Sequence, residues 1–329
     1  MFSISYTDKS GTDGTGAQVL RYAVSYSICK EFSMRWNHIP ITTIDDNPGD
    51  NFSGLEKKKQ YLEKLNLRLR PDDSLQFSPP IQYTIKKTLR FSQLEFILRV
   101  CRLFNFIPPR ISISLYRPQS YVSILDYNLE SYFSAIRKKF HIAKSKSSQI
   151  KIVVHIRGAL RTNRRTSPAI LHNILRELQK ELEVIPREFA ILIITDLPRF
   201  SHPWKVKEGN DPGTFQYWSD LGLINEMGYI LLDSFDFETQ FADISNLSIE
   251  RELDPVESWE MMSDADLLIG CDSSVSIIGG YLNETGVKLF PGSLNSTLPG
   301  TWFSYDHQLP ESELDLTKIL DALVALKVL

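Results

Sequence analysis

Three segments of the sequence combine residue types that bind anions, and each lies where a predicted strand ends in a loop. They span residues 13–18, 155–158 and 265–276. In open α/β sheets, ligands bind in the crevice beyond the carboxyl ends of the strands. The three segments are therefore predicted to line a binding site.

Arg157 stands at the end of a predicted strand over residues 150–156. A guanidinium group there can donate two parallel hydrogen bonds to a diphosphate, and it stays charged at working pH. A departing nucleoside diphosphate gains negative charge on its distal phosphate, so a fixed cation binds the transition state more strongly than the ground state. Three further cations, Arg161, Arg164 and Arg165, follow in a loop that could also be an ordinary solvated basic loop.

Ser273, Ser274 and Ser276 begin a predicted helix directly after a buried strand near 267–269. Hydroxyl groups together with the unpaired N–H groups of a helix N-terminus can hold a phosphate without a metal ion. The alternative is simple helix capping by Ser273 or Ser274, which needs only one of these serines.

Gly14 and Gly16 lie between the first strand and the first helix, where glycine lets the backbone turn tightly and approach a ligand. The segment is not a dinucleotide fingerprint, because the third glycine is missing and Asn37 and His38 stand where an acidic residue should end the second strand. It lacks the Gly-Lys-Ser/Thr of a phosphate-binding Walker loop. A plain strand-to-helix turn is the alternative.

Strands alternating with helices predict an α/β fold with parallel sheets. The predicted strands are 2–6, 35–39, 111–116, 150–156, 189–194 and 267–269, and the predicted helices are 19–32, 55–65, 94–103, a helix entered through Pro168, and one beginning at Ser274. A polar stretch at 143–148 separates two predicted domains, residues 1–145 and 149–310. The C-terminal helix, 312–329, is predicted to pack back toward the first domain.

The composition excludes several classes of protein. With 329 residues, a formal charge of −3 and a pI near 6.1, the chain gives no support for nucleic-acid binding. Cys29, Cys101 and Cys271 are widely spaced and suggest neither a disulfide framework nor a zinc site, which favours a reducing, cytoplasmic location. The N-terminus has no signal-peptide pattern, and no apolar run is long enough for a transmembrane segment. The oligomeric state is not predicted.

In order along the chain, the three segments resemble those of the fucosyltransferase superfamily. Residues 14–18 resemble its opening Gly-x-Gly-Asn-Gln loop, residues 155–157 its His-x-Arg strand end, and residues 266–276 its late Ser-Ser-x-Ser element. The resemblance implies two Rossmann-like domains facing a cleft, the GT-B glycosyltransferase architecture. It also implies an inverting transfer of fucose from GDP-fucose to a carbohydrate acceptor, with no catalytic metal and no cofactor.

The resemblance also implies roles for individual residues. Arg157 would bind the diphosphate, His155 would lie near the nucleotide base, and Gly14 and Gly16 would shape the cleft around the donor sugar and the acceptor. Asp196, in a Thr-Asp pair after a strand, would belong to the donor site. The serines Ser273, Ser274 and Ser276 would hold the phosphates.

The sequence departs from the family pattern at three places. Ala17 replaces the usual asparagine, and Gly158, Ala159 and Leu160 follow Arg157 without a second arginine or an aspartate. Ser258 stands where many members have an aspartate that reads guanine, and Glu257 beside it is a candidate substitute.

Because no base follows Arg157, Asp13 is a candidate general base for the acceptor hydroxyl. It could instead cap the first helix or brace the loop, or a dissociative transition state could need no strong base. Two alternatives for the whole protein stay open: a glycosyltransferase of the same architecture with another nucleotide sugar, and a non-catalytic nucleotide- or carbohydrate-binding relative.

Overall fold

The computed structural model describes the chain as two compact units, one built from described residues before 141 and the other from described residues after 148. The described residues are 3–6, 14–43, 55–75, 81–85, 96, 99–100, 103, 111–115, 128–140, 149–157, 168–183, 187–195, 224–229, 236–292, 299, 301–305 and 316–325. The strand pairings described in both units are parallel, which confirms the predicted α/β class. That the two domains face each other across a cleft stays a prediction.

The first unit is built on a four-stranded parallel sheet. Its strands are β1 (Ser3–Tyr6), β2 (Arg35–Trp36), β3 (Ile81–Ile85) and β4 (Ile111–Leu115), and its helices are α1 (Thr15–Glu31), α2 (Leu55–Leu69) and α3 (Glu130–Ile136). The strand order is β2-β1-β4-β3. Strands β1, β2 and β4 and helices α1 and α2 were predicted, whereas β3 was not.

Helix α1 is buried on nearly all sides. Its Tyr22 ring packs edge-to-face against Tyr6 and Trp36, with ring centroids 5.6 Å and 5.7 Å away. Its Tyr26 ring packs in the same way against Tyr132 of α3, at 5.5 Å. Such aromatic pairs add to the free energy gained by burial. The helix therefore holds the first unit together.

His38 lies two residues beyond β2 and is buried, with its ring 5.1 Å from that of Tyr22. Neither ring nitrogen has a hydrogen-bond partner within the described part of the chain. Burial, together with the smaller effects of the positive charges of Arg70 and Lys139, lowers the pKa of His38 to about 3. The folded protein thus keeps this imidazole neutral.

The second unit is built on a six-stranded parallel sheet. Its strands are β5 (Ile150–Ile156), β6 (Phe189–Thr195), β7 (Leu247–Arg251), β8 (Leu267–Ile269), β9 (Val287–Pro291) and β10 (Phe303–Tyr305). Its helices are α4 (Pro168–Glu183), α5 (Phe237–Gln240), α6 (Pro255–Ser263), α7 (Ser274–Leu282) and α8 (Leu316–Ala325). The strand order is β10-β9-β8-β5-β6-β7.

Alternation along β5 separates the two faces of this sheet. Ile152, Val154 and Ile156 belong to the hydrophobic core that also contains the apolar stripe of α4. Val153 and His155 lie on the opposite face, because successive side chains of a strand point to opposite sides. Both faces of β5 are buried, as expected for a central parallel strand.

Helices α6 and α7 pack closely because α7 carries glycine where the two helices meet. A Cβ atom added at Gly279 would overlap the buried Met262 side chain and lie 2.9 Å from its Cβ. Asn283 closes the end of α7: its amide nitrogen donates to the carbonyls of Met262 and Ala265 at 2.9 Å and 2.8 Å. Its amide oxygen accepts from the Gly286 N–H at 2.6 Å. This side chain is 2% exposed.

The described part of the C-terminal helix packs within the second unit, whereas the sequence had predicted contact with the first domain. Ile319 and Leu323 of α8 are buried in the same core as Leu289 of β9 and Tyr305 of β10. The apolar stripe of this helix is therefore satisfied by the sheet that precedes it in the chain. Strands β7, β9 and β10 were not predicted. β7 carries exposed polar residues, β10 has three residues, and Lys288 interrupts the apolar run of β9.

The contact at Gly279 predicts that Gly279→Ala lowers the free energy of unfolding of the protein. Overpacking a buried contact costs about 1–3 kcal/mol, which exceeds the roughly 0.5–1 kcal/mol that alanine gains over glycine in a helix. Urea unfolding followed by circular dichroism would measure the change. Gly280→Ala is the comparison variant and should lose less stability, because its Cβ would meet the half-buried Trp302 side chain, which can shift, and would lie 3.2 Å from the buried Phe290 ring. A Gly279→Ala protein as stable as wild type would contradict the tight α6–α7 contact.

The buried neutral state of His38 predicts a loss of stability in acid. The folded-state pKa lies below the unfolded value of 6.5, so the stabilising contribution is complete above pH 6.5 and is lost as the pH falls toward 3. Lowering the pH from 7 to 5 should reduce the free energy of unfolding by about 2 kcal/mol through this one group. His38→Leu should reduce the pH dependence of urea unfolding by that amount. If the free energy of unfolding changes with pH in the same way for wild type and His38→Leu, His38 is not held neutral in the folded protein.

Candidate functional site

The carboxyl ends of β5 and β8 lie side by side at the point where the strand order of the second sheet reverses. From β5 the chain adds β6 and β7 on one side, and from β8 it adds β9 and β10 on the other. In the register Val154↔Ile269, β8 ends two residues before β5 does. Such a switch point is where open α/β sheets form a ligand crevice, because the loops leave in opposite directions.

Arg157 is the first residue after β5, and it is half-buried. Its Nη1 donates to the carbonyl oxygen of Asp272, on the loop after β8, at 3.3 Å. That acceptor is a neutral carbonyl, so the contact orients the guanidinium without neutralising its charge. The structure thus brings together the two strand ends that the sequence predicted to carry the anion site.

Four residues separate the end of β8 from the start of α7, and the last of them, Ser273, caps the helix. The Ser273 hydroxyl accepts from the Val275 N–H at 3.2 Å, while the Ser273 N–H donates to the Cys271 carbonyl in a tight turn at 2.7 Å. Ser274, the first residue of the helix, is half-buried. The first-turn N–H groups and the helix dipole make this end favourable for an anion.

Ser276 and His155 are placed in the interior and pair with each other, which differs from the predicted contacts with phosphate and base. The His155 Nδ1 lies 2.5 Å from the Ser276 Oγ. The same oxygen accepts from the Cys271 N–H at 3.1 Å. Ser276 and Cys271 are fully buried and His155 is 3% exposed. A ligand could reach Ser276 only if these bonds were broken.

Burial, together with the smaller effect of the positive charge of Arg157, lowers the pKa of His155 to about 3. The imidazole is therefore neutral and cannot serve as a second cation. Sequence reasoning missed its partnership with Ser276 and Cys271. The available signal was the alternation along β5, which places His155 on the face opposite Ile156.

Glu257 forms part of a helix cap. Its carboxylate accepts from the Asp254 N–H at 3.0 Å, and the Asp254 carboxylate accepts from the Glu257 N–H at 2.8 Å. This reciprocal pair is a capping box at the start of α6. To bind guanine as predicted, the Glu257 carboxylate would have to give up its hydrogen bond from the Asp254 N–H.

Gly14 caps α1 in the first unit, with its carbonyl accepting from the Gln18 N–H at 3.2 Å, and Gly16 lies buried in the first turn. Gly14 has an extended backbone, φ −65° and ψ 163°, which other residues adopt as easily. The Tyr61 hydroxyl donates to the Thr15 hydroxyl at 3.2 Å beside this turn. The other predicted site residues, Asp13 and Asp196, and the arginines Arg161, Arg164 and Arg165 lie outside the described residues.

The described residues show neither a metal-binding cluster nor a membrane-spanning helix. They contain no group of three or more His, Cys, Asp or Glu side chains arranged to hold a metal ion. No helix among them has the length and apolar character needed to cross a membrane.

Comparisons with known proteins identify no family for this chain. No protein-family model matches the sequence, and no curated protein matches it. Among solved structures, E. coli heptosyltransferase WaaC with ADP-2-deoxy-2-fluoro heptose matches with 8% identity over 99% of each chain and a TM-score of 0.41. POFUT1 in complex with GDP matches with 12% identity over 88% of this chain and 98% of that one, with a TM-score of 0.43. A putative UDP-N-acetylglucosamine 2-epimerase from Listeria monocytogenes matches with 9% identity over 99% of this chain and 90% of that one, with a TM-score of 0.44. At these values the similarity assigns no activity, so function has to be inferred from the site itself.

Proposed function

We propose that the second unit binds the diphosphate of a nucleotide sugar and that the protein is a glycosyltransferase. The observation that carries the proposal is the position of Arg157. Its guanidinium is held by the Asp272 carbonyl between the ends of β5 and β8, next to the start of α7. A fixed cation and a helix N-terminus at a switch point form a site for a polyanion.

The proposed reaction uses these groups to stabilise the leaving group. When the bond between the sugar and the distal phosphate breaks, that phosphate gains negative charge. Arg157 keeps its positive charge at any working pH, so it binds the departing diphosphate more strongly than the intact donor. Ser274 and the first-turn N–H groups of α7 would hold the remaining phosphate oxygens.

We further propose fucose as the transferred sugar and GDP-fucose as its donor. This finer proposal rests on the resemblance of residues 14–18, 155–157 and 266–276 to the fucosyltransferase superfamily. In the same proposal Asp196 belongs to the donor site, Gly14 and Gly16 face the donor sugar and the carbohydrate acceptor, and Asp13 takes the acceptor proton. Other nucleotide sugars are the alternative.

Calorimetric titration with GDP, UDP, ADP and dTDP would test the nucleotide. The proposal expects at least one nucleoside diphosphate to bind more tightly than its monophosphate, because the second phosphate reaches Arg157. Donor-hydrolysis and sugar-transfer assays with the corresponding nucleotide sugar would then separate an enzyme from a binding protein. If none of the four diphosphates binds, the proposed site is wrong.

Arg157→Ala should lower turnover by about 10²-fold or more while leaving the fold intact, because a charge contact in the transition state is lost. Arg157→Lys should restore only part of the turnover, since the planar fork is missing. Steady-state kinetics of sugar transfer would measure both. Arg176→Ala, at an exposed position on α4, is the matched control and should behave as wild type. Near-normal turnover of Arg157→Ala would show that Arg157 does not stabilise the transition state.

Sugar transfer should continue in the presence of EDTA. The charges needed to stabilise the diphosphate are proposed to come from Arg157 and the α7 N-terminus, so no divalent ion is required. The assay compares turnover before and after dialysis against EDTA and after the addition of manganese. Activity that disappears with EDTA and returns with manganese would show that a divalent metal ion stabilises the leaving diphosphate.

A further inference from the structure

We propose that the His155 imidazole, the Ser276 hydroxyl and the Cys271 N–H form an interior hydrogen-bonded strut that positions Arg157 for the diphosphate. The inference rests on the proposed diphosphate site. In it, His155 and Ser276 act as positioning residues and contact no ligand. The strut joins three elements, since His155 belongs to β5, Cys271 follows β8 and Ser276 lies in the first turn of α7.

The Ser276 hydroxyl forms its hydrogen bonds with groups inside the protein. A serine hydroxyl has one proton to donate and two lone pairs to accept with. Its oxygen accepts from the Cys271 N–H at 3.1 Å and lies 2.5 Å from the His155 Nδ1. If Nδ1 is unprotonated, the Ser276 hydroxyl donates to it. If Nδ1 carries the proton, it donates to Ser276, whose own proton can turn to the Cys271 Sγ at 3.3 Å. Both tautomers complete the strut.

The strut constrains the position of Arg157 through two parts of the chain. His155 lies two residues before Arg157 and fixes the end of the strand from which the arginine leaves. Cys271 directly precedes Asp272, whose carbonyl holds the guanidinium. At 3.3 Å this N–H···O bond is at the long end of the usual range, so a small displacement of the loop would break it and release the guanidinium. A displaced Cys271 N–H would move the Asp272 carbonyl with it.

Burial supports a positioning role over direct contact. Ser276 and Cys271 are fully buried, and His155 is 3% exposed. The low pKa of His155 keeps the imidazole neutral, so it adds no charge with which to attract an anion. Ser274 is half-buried and is the hydroxyl of this segment with access to a ligand.

The test is a double-mutant cycle between Ser276→Ala and Arg157→Ala, with inorganic pyrophosphate as the probe and calorimetry as the measurement. If Ser276 acts through Arg157, Ser276→Ala should weaken pyrophosphate binding about three- to tenfold in the wild-type background and less than about twofold in the Arg157→Ala background. Ser276→Thr keeps the hydroxyl and should restore binding. Equal losses in both backgrounds would mean that Ser276 contacts the anion directly, and no loss in either would mean that the strut does not position Arg157.

Two controls keep the result interpretable. Ser263→Ala removes another buried serine hydroxyl, which donates to the Glu260 carbonyl within α6, and it should leave pyrophosphate binding unchanged. If Ser276→Ala does not fold, as judged by thermal unfolding, His155→Leu replaces it in the same cycle with the same expected coupling. A wild-type protein that does not bind pyrophosphate would overturn the diphosphate site itself. Binding that is weakened in Arg157→Ala, with the same further loss from Ser276→Ala in both backgrounds, would overturn only the strut.

Discussion

The parallel pairing of β5 with β8 is the constraint on which the site depends. These strands are far apart in sequence, yet Ile152, Val153 and Val154 align with Leu267, Leu268 and Ile269. That register determines which residues emerge together at the edge of the sheet. β8 ends beside Val154, and the same register continued along the chain brings Asp272, in the turn after β8, level with Arg157. A shift by one residue would turn every side chain of the strand to the other face.

Close packing behind the edge preserves this register. A Cβ atom at Gly270 would overlap the Phe290 ring, and the Tyr305 hydroxyl donates to the Gly270 carbonyl at 2.9 Å. On the other side, the Trp259 indole N–H donates to the Val275 carbonyl at 3.0 Å and ties α6 to α7. The turn that carries Asp272 is therefore held between tightly packed elements. This packing fixes the position of the Asp272 carbonyl that contacts Arg157. Densely packed protein interiors have low compressibility, so the carbonyl has little room to move.

Local sequence patterns were enough to predict the central part of the second unit. The apolar runs of β5 and β6 and the stripe of α4 are strong periodic signals, and the structure confirms all three elements. Strand β7 was missed because its alternating pattern contains only two apolar residues, Leu247 and Ile249, which is too short to be a strong signal. In the site, the location of Arg157 at a strand end followed from sequence. The pairing of His155 with Ser276 did not, since it arises from strand register and helix packing across 121 residues of chain.

The buried amide of Asn283 has a consequence for covalent modification. Asn283, Glu284 and Thr285 match the acceptor pattern for N-linked glycosylation, which normally marks an exposed loop. Here the acceptor nitrogen is the atom that donates to the Met262 and Ala265 carbonyls, and the side chain is 2% exposed. A sugar attached to that nitrogen would replace one of its protons and require space that the α7–β9 turn does not have. Glycosylation at Asn283 is therefore incompatible with the folded second unit, and a glycan at this position would identify a chain that was modified before the turn closed.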